Sequence, residues 1–212
     1  MKAGFVSIVG RPNVGKSTLL NTLIGRKIAI TSDKAQTTRN NIMGIYHDND
    51  SQIIFMDTPG IHKPKNNLGK ALNSKAYYTI NDVDIVVLIV DITESFGPGD
   101  KFVIDKLKNI DKPVILVLNK IDKVNKEVIL KKINQYKDLY DFSEIVPLSV
   151  IRKEEVDILV KVLKKYLTDD IKYYDDDYIT DKSNEFFISE YVREKILRYT
   201  NDEVPHSITC VT

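Results

Sequence analysis

Eight consecutive residues, Gly10-Arg11-Pro12-Asn13-Val14-Gly15-Lys16-Ser17, have the spacing G-x-x-x-x-G-K-[ST] of a loop that wraps phosphate. Glycines at both ends let backbone N–H groups turn inward at the start of a helix, where the helix dipole also favours an anion. In such a loop Lys16 reaches the β- and γ-phosphates, the Ser17 hydroxyl ligates Mg²⁺, and Thr18 lies against the nucleotide. This motif leaves adenine and guanine nucleotides open.

Four further segments narrow the chemistry. Asp57-Thr58-Pro59-Gly60 follows an apolar run, so a carboxylate stands at the carboxyl end of a strand, where α/β sheets hold their ligands. Asp57 is expected to hold Mg²⁺ through water, and the Gly60 amide to sense the γ-phosphate. Asn119-Lys120-Ile121-Asp122 follows a second apolar run. The Asp122 carboxylate can accept from both guanine N1–H and the N2 amine, a donor pair adenine lacks. Asn119 is expected at N7 and as a tie to the phosphate loop, with the Lys120 stem over the base. Ser149-Val150, after a third run, would offer a main-chain N–H to guanine O6. Between the first helix and the next strand lies the polar stretch Ser32-Asp33-Lys34-Ala35-Gln36-Thr37-Thr38-Arg39, in which a threonine hydroxyl can complete the Mg²⁺ shell when a γ-phosphate is present. Thr38 is preferred to Thr37. His62, in the segment 61–69, is read as a solvated switch residue rather than a base, and no histidine cluster suggests a metal site.

These loops need a scaffold, and the hydropathy pattern supplies one. Apolar β-type runs at 5–9, 42–46, 53–56, 85–90, 114–118 and 145–148 alternate with helix-period segments at 17–24, 68–79, 100–109, 127–140 and 154–167. Only the second and third runs are joined by a short polar turn, which predicts one antiparallel hairpin beside otherwise parallel strands. The expected fold class is α/β: a Ras-like P-loop domain with a mostly parallel six-stranded sheet, helices on both faces, and a short C-terminal helical segment. Residues 1–167 form this domain. An acidic stretch, 168–184, reads as a linker, and helical periodicity resumes at 185–199 with Ile188, Val192, Ile196 and Tyr199 on one face. Residues 207–212 look like the beginning of a strand.

The 212 residues carry a net charge of +1, which conceals a basic excess in residues 1–75, where phosphate is expected, and an acidic excess after residue 175. A single cysteine, Cys210, excludes an intrachain disulfide. The apolar run at 85–90 is far too short to cross a bilayer, and the first ten residues lack the apolar stretch of a signal peptide. A cytoplasmic protein and a monomer are expected.

Together, Gly10–Ser17, Gln36-Thr37-Thr38-Arg39, Asp57–Gly60, Asn119–Asp122 and the tail segments Arg193-Glu194-Lys195-Ile196-Leu197 and Glu203-Val204-Pro205-His206-Ser207 resemble the Era family of bacterial ribosome-assembly GTPases. The resemblance implies GTP and GDP as ligands, slow hydrolysis, Mg²⁺, and partners in 16S rRNA and the small ribosomal subunit. Peripheral membrane association belongs to the same implication. It also makes residues 185–212 the first part of a KH-type RNA-binding domain. A KH domain grips RNA with a Gly-x-x-Gly loop, and none follows Tyr199, so the chain is expected to stop early in that domain. Other classes weighed are an RNA-binding module indifferent to nucleotide, an ATPase or nucleoside kinase, and an Era-like GTPase of tRNA modification or transport.

The residue after Gly60 is Ile61, where Ras-like enzymes carry a glutamine that orients the attacking water. Some other group must then neutralise the charge that develops on the phosphates. Arg11 and Arg39 are candidates. Asn13 resembles the asparagine through which related GTPases ligate a monovalent cation, with switch-I carbonyls completing the shell, so K⁺ is a candidate cofactor; the alternative is that Asn13 stabilises the turn.

Overall fold

Strand alternation accounts for the two-sided core. In β4 (Ile85–Asp91) every residue is buried, with Ile85, Val87 and Ile89 facing one helical layer and Val86, Leu88 and Val90 the other. The same parity holds in β1 (Lys2–Val9) and β5 (Val114–Asn119). The coordinates are a computed structural model describing residues 1–32, 34, 37–64, 67–200 and 210.

The sheet order is β2-β3-β1-β4-β5-β6, where β2 is Ile42–His47, β3 is Ser51–Asp57 and β6 is Glu144–Leu148. Strand β2 runs antiparallel to β3, and every other neighbour pair is parallel. Helices α1 (Lys16–Ile24) and α5 (Lys153–Leu163) bury Leu19, Leu20, Leu23, Val156, Leu159, Val160 and Leu163 on one face. On the other lie α2 (Asn67–Asn81), α3 (Pro98–Leu107) and α4 (Lys126–Lys137), contributing Ala76, Ile80, Val103, Ile104, Leu107 and Tyr136. The predicted hairpin, the six strands and the five helices of residues 1–167 are present. Helix α1 stops where glycine allows it, at Gly25 with φ 71, whose N–H caps the Asn21 carbonyl.

Two features of the C-terminal part differ from their sequence reading. The acidic stretch 168–184 packs against residues of β1, β2 and β3. Ala3 and Asp169 exchange main-chain hydrogen bonds, Tyr173 meets the Phe5 ring edge-on at 5.0 Å, and Gln52 accepts from the amides of Tyr173 and Tyr174. The Tyr174 ring covers Met43, Ile45 and Ile54. Isolated aromatic residues do this packing, and they leave no period to detect. In α6 (Asn184–Tyr199) the apolar face read from periodicity is turned out: Ile188, Val192 and Tyr199 are exposed, whereas Arg193, Glu194 and Leu197 are buried, a choice of face that the sequence reading left open. The reason is that α6 lies on the loop after α1, whose main-chain polar groups need hydrogen-bond partners rather than hydrocarbon. The tail segment 203–207 and the strand expected at 207–212 fall outside the described residues apart from Cys210, a free thiol.

Candidate functional site

The loop from Gly10 to Ser17 joins β1 to α1 at the carboxyl edge of the sheet. Gly15 sits at φ 109, and a Cβ there would come 2.4 Å from Asn119 Nδ2, so both conformation and space require glycine. Asn13 (φ 64) and Lys120 (φ 68) are the non-glycine residues with positive φ among those described, and both lie in this site. Lys16 is buried, and its Nζ donates to the Arg11 carbonyl at 2.7 Å. Burial pushes its ammonium down to about 8, while the Asp57 charge pulls the other way.

Three oxygens meet beside Lys16. Ser17 Oγ donates to Asp57 Oδ2 at 2.7 Å and lies 3.0 Å from Thr38 Oγ1. Burial pushes the Asp57 carboxyl up to about 6 against the attraction of Lys16 and the Ser17 hydrogen bond. Its second oxygen, Oδ1, is buried without a hydrogen-bond partner among the described residues. Two hydroxyls and a carboxylate with an unsatisfied oxygen fit a hard divalent cation. Thr37 turns its hydroxyl back to the Lys34 carbonyl at 2.6 Å. Of the two threonines, only Thr38 offers its hydroxyl to this corner.

Thr58 Oγ1 donates to the Ile8 carbonyl at 2.9 Å and Pro59 is buried, fixing the turn that carries Gly60. A Cβ on Gly60 would lie 2.8 Å from Pro12 N, so the turn and the phosphate loop touch. Ile61 is fully buried, and its N–H donates to the Gly10 carbonyl. His62 is half-buried rather than solvated: Asn73 of α2 brackets its backbone, and its Nδ1 must carry the proton that bonds the Gly60 carbonyl. Arg11 pairs with Glu94 at 3.0 Å and Asp100 at 3.1 Å, two carboxylates it would have to leave to reach a phosphate.

At the other end, Asn119 Nδ2 donates to the Val14 carbonyl at 2.7 Å, and its Oδ1 accepts from the amides of Lys120 and Val150. Because Asn119 takes the Val150 N–H, that amide meets guanine O6 only by sharing this bond. The Ser149 N–H is held by Glu155. The Asp122 carboxyl is held below its ordinary value by the Ser149 hydroxyl, helped by Arg152 and Lys123. It is therefore ionised at neutral pH. A hollow of about 90 Å³ lined by Pro12, Lys16, Ser17, Thr38 and Gly60 adjoins one of about 440 Å³ lined by Thr18, Asn119, Lys120, Asp122, Ser149 and Val150.

Several contributors carry no motif. Lys120 Nζ pairs with Asp91 at the end of β4, which Thr93 also holds; a carboxylate just past an apolar strand was the available signal. Thr31 and Arg198 of α6 line the larger hollow beside Ser32, and nothing in the local sequence of those two marks them.

Fold and site are those of a Ras-like P-loop GTPase. A model of the family described as 50S ribosome-binding GTPase matches residues 5–120. GTPase Era of Staphylococcus haemolyticus is 52% identical over 207 residues, covering 98% of this chain and 69% of that protein. A variant of Aquifex aeolicus Era bound to GDP and AlF4⁻ superposes with a TM-score of 0.92 at 41% identity, covering 98% of this chain and 71% of that one. An Era structure containing MgGDPNP and nucleotides 1506–1542 of 16S ribosomal RNA gives 0.93 at 41% identity, covering 98% and 70%. The chain belongs to the Era family of GTPases, enzymes that hydrolyse GTP to GDP and phosphate. Among the described residues, no helix is long and apolar enough to cross a membrane.

Proposed function

We propose that this chain is a nucleotide-dependent switch whose triphosphate state favours binding to the small-subunit ribosomal RNA. The observation that carries the reading is the convergence of Ser17, Thr38 and Asp57 within 3.0 Å, with Asp57 Oδ1 still unsatisfied. Ser17, Thr38 and Asp57 would hold Mg²⁺, which when bound would neutralise charge on the β- and γ-phosphates. Lys16 spreads its charge over the same oxygens. The Gly60 amide donates to the γ-phosphate, and the contact of Gly60 with Pro12 keeps it in reach. Asn119 and Asp122 select guanine, with Ser149 and Val150 closing the pocket and Gly10 through Thr18 cradling the phosphates.

The RNA partner is argued from the Era structure that holds a 16S rRNA segment. Residues 1–167 act as the nucleotide domain, 168–184 as the connection, and 185–212 as the opening of a KH-type domain. Asn13, whose left-handed backbone lies at the rim of both hollows, is the residue we assign to a monovalent cation.

The test is the affinity for a 3′-terminal small-subunit rRNA oligonucleotide, measured without nucleotide, with GDP and with GDPNP at one salt concentration. Tighter binding with GDPNP is expected. Equal affinity in all three states leaves an RNA module indifferent to nucleotide and ends the switch reading.

A further inference from the structure

Helix α6 buries a polar face, and that face is spent on the loop that carries Thr38. Arg193, 3% exposed, forms a fork on its helical neighbour Glu190, with Nε to Oε1 at 2.8 Å and Nη2 to Oε2 at 2.5 Å. The same Nη2 donates to the main-chain carbonyl of Thr37 at 2.7 Å, across 156 residues of sequence. Glu194, 1% exposed, accepts from the Thr31 amide at 3.0 Å and pairs with Lys27, while the Tyr191 hydroxyl donates to the Lys27 carbonyl. Lys34 reaches the carbonyl of Thr200, just past the helix. The loop from residue 27 to residue 37 is therefore held by α6 at both ends.

Burying a guanidinium is costly unless its donors are satisfied. Glu190 takes two of the Arg193 bonds and Thr37 a third, while Nη1 is buried without a hydrogen-bond partner among the described residues, so losing the Thr37 carbonyl would add to a donor deficit the site already carries. Arg39 lies close enough for its charge and that of Arg193 to oppose one another, with Glu190 favourable to both. One carboxylate thus serves two guanidiniums. A peptide carbonyl turned toward Arg193 fixes the plane of the Thr37–Thr38 peptide, and with it the backbone from which the Thr38 hydroxyl projects.

We propose that Arg193 is a positioning residue for the triphosphate state: by holding the Thr37 carbonyl it sets the Thr38 hydroxyl beside Ser17, which makes α6 part of the nucleotide-sensing machinery. The inference rests on Thr38 as the hydroxyl that meets Mg²⁺. It extends the switch beyond the nucleotide domain, because a contact that favours the triphosphate conformation is favoured by triphosphate in return, by the same factor. Any partner that displaces α6 would weaken GTP binding without touching the nucleotide.

The experiment compares Arg193→Ala, Arg193→Lys and Thr38→Ala with the unmodified chain for affinity toward GDP and GDPNP at saturating Mg²⁺. Arg193→Ala is expected to weaken GDPNP binding about tenfold while GDP changes less than about twofold, as losing one charge-assisted bond specific to one state would do. Arg193→Lys should recover part of the loss, since an ammonium reaches one acceptor but cannot reproduce the fork. Amide exchange in α6 should be slower with GDPNP than with GDP in the unmodified chain, and equal in Arg193→Ala. Should Arg193→Ala not fold, Glu190→Gln keeps the arginine, loosens its fork, and is expected to weaken GDPNP selectively by a smaller factor. Equal losses for both nucleotides, or none, in the arginine and glutamate variants while Thr38→Ala loses GDPNP selectively overturns the role of Arg193. A Thr38→Ala protein that loses no more affinity for GDPNP than for GDP overturns the assignment beneath it, and the proposal with it.

Discussion

The Asn119 side-chain amide donates to the main-chain carbonyl of Val14 at 2.7 Å in a buried site, joining the base-reading loop to the phosphate loop 105 residues earlier. Its Oδ1 holds the amides of Lys120 and Val150 at the same time. Replacing Asn119 by Ala leaves three main-chain groups to find new partners. GTP and GDP affinities are expected to fall together, by about 10- to 100-fold, and stability by about 2–4 kcal/mol. Nucleotide titration and thermal denaturation check this; a loss confined to one nucleotide contradicts a shared structural tie.

Asp122 is exposed, ionised and held by the Ser149 hydroxyl, so its change to Asn alters recognition without disturbing the core. An amide offers one donor and one acceptor where guanine presents two donors, whereas xanthine presents a carbonyl at C2. Asp122→Asn is expected to move the preference from GTP to xanthosine triphosphate by about two orders of magnitude or more. Competition between the two nucleotides measures it. Unchanged preference removes Asp122 from base recognition.

Lys16→Ala and Ser17→Ala should weaken nucleotide binding by separable routes. The first removes a buried charge from the phosphates, and the second removes a hydroxyl that also bonds Asp57. Raising Mg²⁺ is expected to restore GDPNP affinity in the serine variant and not in the lysine variant. Equal rescue of both, or of neither, contradicts the assigned division. Removing Mg²⁺ with a chelator should speed GDP release from the unmodified chain for the same reason.

Hydrolysis must proceed without a glutamine after Gly60, and the Ile61 side chain is fully buried, unable to approach an attacking water. Arg11 is occupied by Glu94 and Asp100. K⁺ held at Asn13 would place positive charge near the transferring phosphoryl group. At constant ionic strength, K⁺ is expected to raise kcat about tenfold or more over Na⁺, and Asn13→Ala to remove the difference while GDP affinity survives. Equal kcat in both salts removes the cation and directs attention to Arg39 or to a partner.

The six strands and the hairpin were legible because a strand covered on both faces must be an apolar run between polar loops, as 85–90 and 114–118 are. The four nucleotide segments were legible for a related reason. Phosphate and guanine are read by glycines, a lysine, hydroxyls and carboxylates whose spacing is fixed by one loop each. Choosing Thr38 over Thr37 was open to local sequence; their hydroxyls diverge, one to Ser17 and the other to Lys34, because the peptide between them is held from elsewhere.

By itself, then, the sequence determined the strands, the hairpin and the guanine chemistry, since each is written in residue types and spacing within one local segment. Only the tertiary structure decided the face α6 buries, the docking of 168–184 by Tyr173 and Tyr174, and the pairing of Lys120 with Asp91. Periodicity marked an apolar face of α6 that the structure leaves exposed at Ile188, Val192 and Tyr199. Hydrophobic spacing records what a helix can bury, whereas Arg193 and Glu194 are buried for the carbonyl of Thr37 and the amide of Thr31, and main-chain groups have no letter in the sequence.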